Sequence, residues 1–313
     1  MGGAAMSGAS VLFDAPGPKA RRLSLILSIV AGVVILAGLT WIVLILAAPR
    51  DSGGITLPGY FDPSRWDIFA DPEVWSFIIF EGVVGTLKAA LTAAVFAIAL
   101  GILFSLLRSA ETAWIRVPTA VVLEFLRGMP VLLMMLFILL VMSTGAFWAV
   151  VVALSLYNGA LIGEALRAGL VALPRGQREA GLSLGMRPLQ SKMLVEFPQA
   201  FRQMLPIIVA QLVVLLKDTS LGYIVGYVEL LRVNMNNLAS FYGNRYLFSL
   251  FVVTLVLYLI MNLSLSSFAR WLSKRTASKS SGARLDPDDP NQAMLVAQAS
   301  AAARQSEDQR GTP

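Results

Sequence analysis

The sequence predicts an all-α, polytopic membrane protein with six transmembrane helices. Three observations carry that expectation. The chain is 57% hydrophobic and 14% charged, where a soluble domain carries about 25% charged residues. Uncharged or nearly uncharged apolar stretches long enough to cross a bilayer recur along it. Its basic residues crowd alternate ends of those stretches, as they do at the cytoplasmic ends of membrane spans. The chain has no Cys and no His, which removes disulfides, thiolate nucleophiles, imidazole bases and the usual zinc ligands. Carboxylate-only metal or acid–base sites remain possible, and we assign no catalytic residue and no metal site. The net charge of +6 is accounted for by flanks of spans, so no nucleic-acid partner is expected.

Taken in order, residues 1–22 are rich in Gly, Ala and Ser and end in Lys19, Arg21 and Arg22, which reads as a cytoplasmic tail. Leu23 to Ala48 is a run of 26 residues without a charge, a first span. A signal peptide's apolar region is about 7–15 residues, so this span is expected to remain uncleaved. Residues 49–75 hold Pro49, Gly53, Gly54, Pro58, Gly59 and Pro63 among aromatics such as Tyr60, Phe61, Trp66 and Trp75. That composition predicts an extracytoplasmic loop at the membrane interface. The remaining spans fall within 76–273. The second runs from about Gly82 to Leu107, and the third, Val117 to Met142, should kink at Pro130, which lacks an N–H. The fourth runs from Ala146 to about Leu170, the fifth from about Met204 to Val225, and the sixth from about Tyr246 to Arg270. Residues 274–313 have few large apolar side chains and are expected to be a disordered cytoplasmic tail, with a short helix near 292–304. With the N-terminus inside, internal flanks hold fourteen Lys and Arg and external flanks four, Arg50, Arg65, Arg232 and Arg245. Both termini are therefore expected in the cytoplasm.

Charges at membrane depth are costly and should face protein or water. Lys88, Glu124, Arg127, Glu164, Arg167, Lys217 and Asp218 fall there. Glu124/Arg127 and Glu164/Arg167 are spaced i,i+3, on one helix face. Two readings stand: ion pairs that fix helix packing, or groups on a substrate path. Glu164 and Arg167, near the cytoplasmic end, fit the first. Arg127 and Lys217 lie beside helix breaks, where transporters bind charged solutes. The candidate path is Glu124, Arg127, Lys217, Asp218, Thr219 and Ser220. Met129, Met134, Met135 and Met142 in the third span read as adaptable packing.

The cytoplasmic segment 171–203 is long for a link between spans. Pro174 ends the fourth helix, Gln177 to Leu184 can form two helical turns, and Gly185 sits where a left-handed residue stops them. Pro188 can then open another short helix. Glu179 offers one exposed acceptor, and the small Ala180 and Gly181 would let another surface approach. Glu179-Ala180-Gly181, Gly185 and Val195-Glu196-Phe197-Pro198 resemble the EAA signature of importer-type ABC permeases, with Val195 and Phe197 in place of the usual Ile and Leu. Further resemblances point to the branch for polar amino acids (His, Gln, Glu). They are Gly82-Val-Val-Gly85-Thr86-Leu87, Glu124-Phe-Leu-Arg127-Gly-Met129-Pro130, Gly163-Glu164 with Arg167-Ala168-Gly169, Pro174-x-Gly176-Gln177, and Lys217-Asp218-Thr219-Ser220-Leu221. The opening from Val11 to Arg22 is similar to the start of actinobacterial glutamate permeases.

The resemblance implies a type I ABC importer permease fold in a bacterial plasma membrane and transport of polar amino acids, with glutamate favoured. It implies that Glu179, Ala180, Gly181 and Gly185 belong to a coupling helix docking on an ATPase dimer. It implies a second permease chain, similar or identical to this one, and an extracytoplasmic substrate-binding protein. Membrane lipid is the remaining partner. No Gly-x-x-x-x-Gly-Lys-Ser/Thr occurs in the sequence, so this chain is expected to be no enzyme and to hold no cofactor, with ATP and Mg on the partner. The resemblance also makes Leu23–Ala48 a span added to a five-span core, peripheral to the path. The alternative reading is an ATP-independent secondary transporter or channel for a small charged solute, and a third class is a membrane-embedded enzyme. No inverted repeat of the kind found in many secondary transporters is evident.

Overall fold

The computed structural model describes residues 17–52 and 54–277. The expected tails, over residues 1–16 and 278–313, lie outside the described residues, as does the short helix expected near 292–304. The first helix, α1, spans Pro18–Ala47. It therefore takes in Lys19, Arg21 and Arg22, which were expected in the tail. Pro18 occupies the first turn, where its missing N–H is no loss. No residue of α1's apolar window is buried, and nothing lies within 4 Å of a Cβ built at Gly32 or Gly38. Its C-terminal end is tied to the following loop by a hydrogen bond from Tyr60 N to Leu46 O at 2.8 Å.

The expected loop at 49–75 is more ordered than its composition implies. Arg50–Ser52 (β1) and Ile55–Leu57 (β2) pair antiparallel, with Arg50 opposite Leu57. Two 3-10 turns follow, Pro63–Arg65 and Asp67–Ala70. Asp62 caps the first of them, and hydrogen bonds from the side chain and backbone of Ser64 hold its carboxyl below the usual range. Arg65 donates to Pro58 O and Arg245 O, and the Tyr246 hydroxyl donates to Asp67. The loop is thereby fastened to the start of the last helix.

The second span begins ten residues earlier than expected. Helix α2 (Pro72–Phe77), capped by the Asp71 carboxylate, continues through a π-helical stretch at Ile78–Val83 into α3 (Val84–Arg108). The third span is two helices, α4 (Ala113–Gly128) and α5 (Val131–Met142), bent by 100° at the break. A kink was expected at Pro130. A proline also biases the residue before it away from helix. Met129 and Pro130 are both extended, with ψ 130° and 126°, so the chain turns a corner. α6 covers Ala146–Ala172. Then come α7 (Arg175–Ser183), α8 (Pro188–Ser191) and a π-helical stretch that runs into α9 (Phe197–Asp218), extended by a 3-10 turn to Tyr223. The fifth span's helix thus already includes the end of the segment read as 171–203. The connection expected at 226–245 holds α10 (Leu230–Arg232), a π-helical stretch and α11 (Ala239–Tyr242), before α12 (Leu247–Ala277).

The core is built on α3 and α6. Ala89, Ala93, Ala97, Gly101 and Ser105 recur every four residues on α3 and are buried, a small-residue stripe that lets two helix backbones close. Ser155 donates to Ala93 O, and a Cβ on Gly101 would meet Ile162 at 2.6 Å. A Cβ on Gly163 would meet Phe104 at 2.9 Å. Residue numbers rise together on the two helices, so α3 and α6 run parallel. Parallel neighbours require α4–α5 to return the chain to the far end, which makes the bent pair a broken span rather than a loop that re-emerges where it entered. α9 runs antiparallel to α6: Gly169 packs on Met204 and Ala200, and Gln211 donates to Asn158 at 2.8 Å. Among the described residues, five helices are long and apolar enough to cross a membrane, and the bent pair makes six.

Candidate functional site

The ends of α3, α6 and α12 and the starts of α4 and α9 share one end of the bundle, and α7–α8 lie there. Local sequence explains their shape. Pro174 is extended and opens α7. Gly185 has φ +80°, the left-handed stop expected of it, and Met186 N reaches back to Gly181 O at 3.2 Å. Pro188 opens α8, and Gln190 accepts from Arg187 N at 3.0 Å. Glu179 and Ala180 are exposed. Gly181 is not: it is buried, and a Cβ there would meet Ser191 Oγ at 2.5 Å. Its smallness lets α7 close on α8.

α7 and the stretch after α8 are both fixed to the turn between α3 and α4. The Arg178 guanidinium donates to Glu111 at 2.5 Å. Lys192 Nζ donates to Ser109 O at 2.7 Å. α7 and the stretch after α8 thus both contact the α3–α4 turn, and the chain itself joins them to α6 and α9.

The residues expected on a substrate path are not brought into one hydrogen-bonded cluster. Arg127 donates to Glu124 at 2.5 Å, with side chains 24% and 73% exposed respectively, while Arg127 Nε is buried without a partner. Glu164 and Arg167 form an ion pair at 2.5 Å. Lys217 is exposed and in no ion pair among the described residues, and Asp218 is half-buried. Thr219 is buried and donates to Leu216 O, while the Ser220 hydroxyl donates to Lys217 O. These two hydroxyls serve the end of α9. Lys88 is exposed, its ammonium 5.3 Å from the centre of the Phe147 ring.

Sequence reading passed over Glu229, which is fully buried. Its carboxylate accepts from Leu231 N, Arg232 N and Tyr258 Oη at 2.7–2.8 Å. An acid directly before Leu-Leu-Arg is a helix-cap signal, here obscured because α10 is one turn long. The motif at Gly82–Leu87 serves the same place. Thr86 Oγ1 accepts from Leu230 N, and Gly85 O from the Tyr227 hydroxyl. That motif is a seat for residues 227–230.

Residues 97–278 match the family described as binding-protein-dependent transport system inner membrane component. The chain is 36% identical over 248 residues to a glutamate transport system permease protein, GluD, of Corynebacterium glutamicum, covering 75% of this chain and 89% of that one. It is 32% identical over 203 residues to a probable glutamine ABC transporter permease protein, GlnP, of Bacillus subtilis, covering 63% and 93%. Among solved structures, an amino acid ABC transporter crystallised with histidines matches with a TM-score of 0.58 and 26% identity over 65% of this chain and 95% of that chain. A chain of the MetNI methionine ABC transporter matches with a TM-score of 0.55 and 18% identity, over 66% and 98%, a likeness of fold alone.

Proposed function

This chain belongs to the family of binding-protein-dependent transport system inner membrane components, and we propose that it is the permease subunit of an ATP-driven ABC importer for polar amino acids, glutamate first among them. The observation that carries the reading is α7, a short helix with Glu179 and Ala180 exposed, fastened to the span ends through Arg178–Glu111 and Lys192–Ser109. The glutamate preference is supported by the C. glutamicum relative. Two permease chains, this one and a copy or close relative, enclose the path. An ATPase dimer binds ATP and Mg below, and a substrate-binding protein delivers from above. When the ATPases close, α7 moves with them. The Arg178 and Lys192 contacts carry that motion into the α3–α4 turn, and the spans shift as packed bodies. This chain performs no covalent chemistry.

An acidic amino acid needs fixed positive charge where it crosses. Lys217 is exposed without a carboxylate partner among the described residues, and Arg127 has an unmet Nε donor. Both fit that need, although Glu124 already offsets the charge of Arg127. The membrane is the bacterial plasma membrane, with α7 and both termini on its cytoplasmic side. The test is purification from native membranes with identification of the partners, followed by labelled-glutamate uptake into vesicles holding the complex. ATP-dependent uptake is the expected result. Uptake at the same rate without ATP, by a chain that brings no ATPase with it, would sink the reading.

A further inference from the structure

At the α7 end of the bundle lies a cavity of about 350 Å³, walled by the α3–α4 turn, the end of α6, α7 and the stretch after α8. Five of its lining residues are cations: Arg108, Arg116, Arg167, Arg178 and Lys192. Against them stand Glu196, which also lines it, and Glu164 and Glu111, which pair with Arg167 and Arg178. Arg108, Arg116 and Lys192 have no carboxylate partner among the described residues. Like charges brought around one hollow repel one another unless an anion sits among them. Ser109 lines the same hollow, and its main-chain carbonyl accepts from Lys192 Nζ at 2.7 Å, which holds that ammonium on the wall.

The wall is amphipathic. Leu170 and Leu173 line it, as does Val171, which is 72% exposed. Two residues before Arg116 stands Trp114, 89% exposed, an aromatic of the type that settles at headgroup level. A lining that is basic and apolar together, at the ends of membrane helices, matches a molecule whose anionic head and acyl chains are joined, better than it matches a free anion.

We propose that this cavity binds the phosphate of an anionic phospholipid headgroup. Bound there, the headgroup bridges Arg108 and Arg116 at the α3–α4 turn to Lys192 and Arg178 of the α7–α9 segment, reinforcing the link between that segment and the spans. The proposal goes beyond the transport reading and depends only on the chain lying in a membrane.

The test reads binding alone, so its failure leaves the transport assignment standing. The full-length chain in neutral detergent is titrated with phosphatidylglycerol or phosphatidylcholine, and retained lipid is counted by native mass spectrometry. Phosphatidylglycerol should be retained in preference to phosphatidylcholine. Arg108→Gln and Arg116→Gln should each weaken its retention about fivefold, and the double variant about twentyfold. Arg108→Lys and Arg116→Lys, which keep the charge, should restore most of it and show that the fold is intact. Equal retention of the two lipids, or unchanged retention in the folded double Gln variant, would overturn the proposal. Displacement of the lipid by millimolar inorganic phosphate would overturn it too, by assigning the cavity to a soluble anion.

Discussion

Glu179 is the single carboxylate on α7, it is exposed, and it enters no ion pair among the described residues. Nothing among the described residues accounts for it, and reversing its charge should disturb only what docks there. Glu179→Lys is expected to reach the membrane in normal amount and to recover at least tenfold less ATPase on co-purification. Wild-type recovery of ATPase together with wild-type uptake would remove the docking role. Lys217 and Arg127 make a different prediction. A charge-assisted hydrogen bond contributes about 1.5–3 kcal/mol, so replacing either residue with Met should lower glutamate uptake about tenfold or more while the assembled complex still hydrolyses ATP. If uptake falls only in step with the amount of assembled complex, both are packing residues. At this scale the sequence was legible where backbone geometry dictates the residue, as at Gly185 with φ +80°. It was not legible at Gly181, whose tight neighbour Ser191 is ten residues away across a turn. Nor was it legible at Glu229, whose partner Tyr258 lies on another helix.

Among the elements, α3 and α6 pack through small residues, whereas no residue of α1's apolar window is buried. The contrast gives a prediction with an internal control. Gly163→Val places a branched side chain where a Cβ alone would lie 2.9 Å from Phe104 Cβ and 3.1 Å from Gly101 O. Overpacking of this kind typically costs about 1–3 kcal/mol, and an earlier thermal transition of the purified protein should report it. Gly38→Val on α1 meets nothing within 4 Å and should leave the transition where it was. An unchanged transition in Gly163→Val would mean that the two helices are not held in this register. The length of the apolar runs made every span legible, because crossing a bilayer demands it. The ends were less so. α3 is continuous with α2 back to Pro72, and α9 is entered from Phe197, because interfacial polar residues are tolerated in helices. Pro130 announced a break, but its size depended on Met129 being extended as well.

For the molecule as a whole, the parallel course of α3 and α6 decides how many times the chain crosses. With α4–α5 counted as one broken span, α3, α6 and α12 run toward the α7 end, and α9 runs away from it. The β1–β2 hairpin and α7 then lie at opposite ends of the bundle. Charge supplies the expected direction: the basic cavity and most flanking Lys and Arg share the α7 end, the pattern of a cytoplasmic end, and that orientation is a prediction. Because the chain has no Cys, single cysteines can report on it directly. Placed at positions 10, 55, 180 and 280, they should react with an impermeant reagent from outside only at 55, in β2. Labelling from outside at 180 would invert the whole arrangement, and labelling at 10 or 280 would show that a terminus is external. α1 is the remaining element to be placed. Its uncharged part, residues 23–47, gives about 38 Å of helix at 1.5 Å per residue, more than the roughly 30 Å of hydrocarbon, so it is expected to tilt. All its apolar faces are open, and on the proposed assembly it lies outside the path, so cysteines along 25–45 should show no protection by substrate. Protection at any of them would move α1 from the rim of the assembly to the wall of the path.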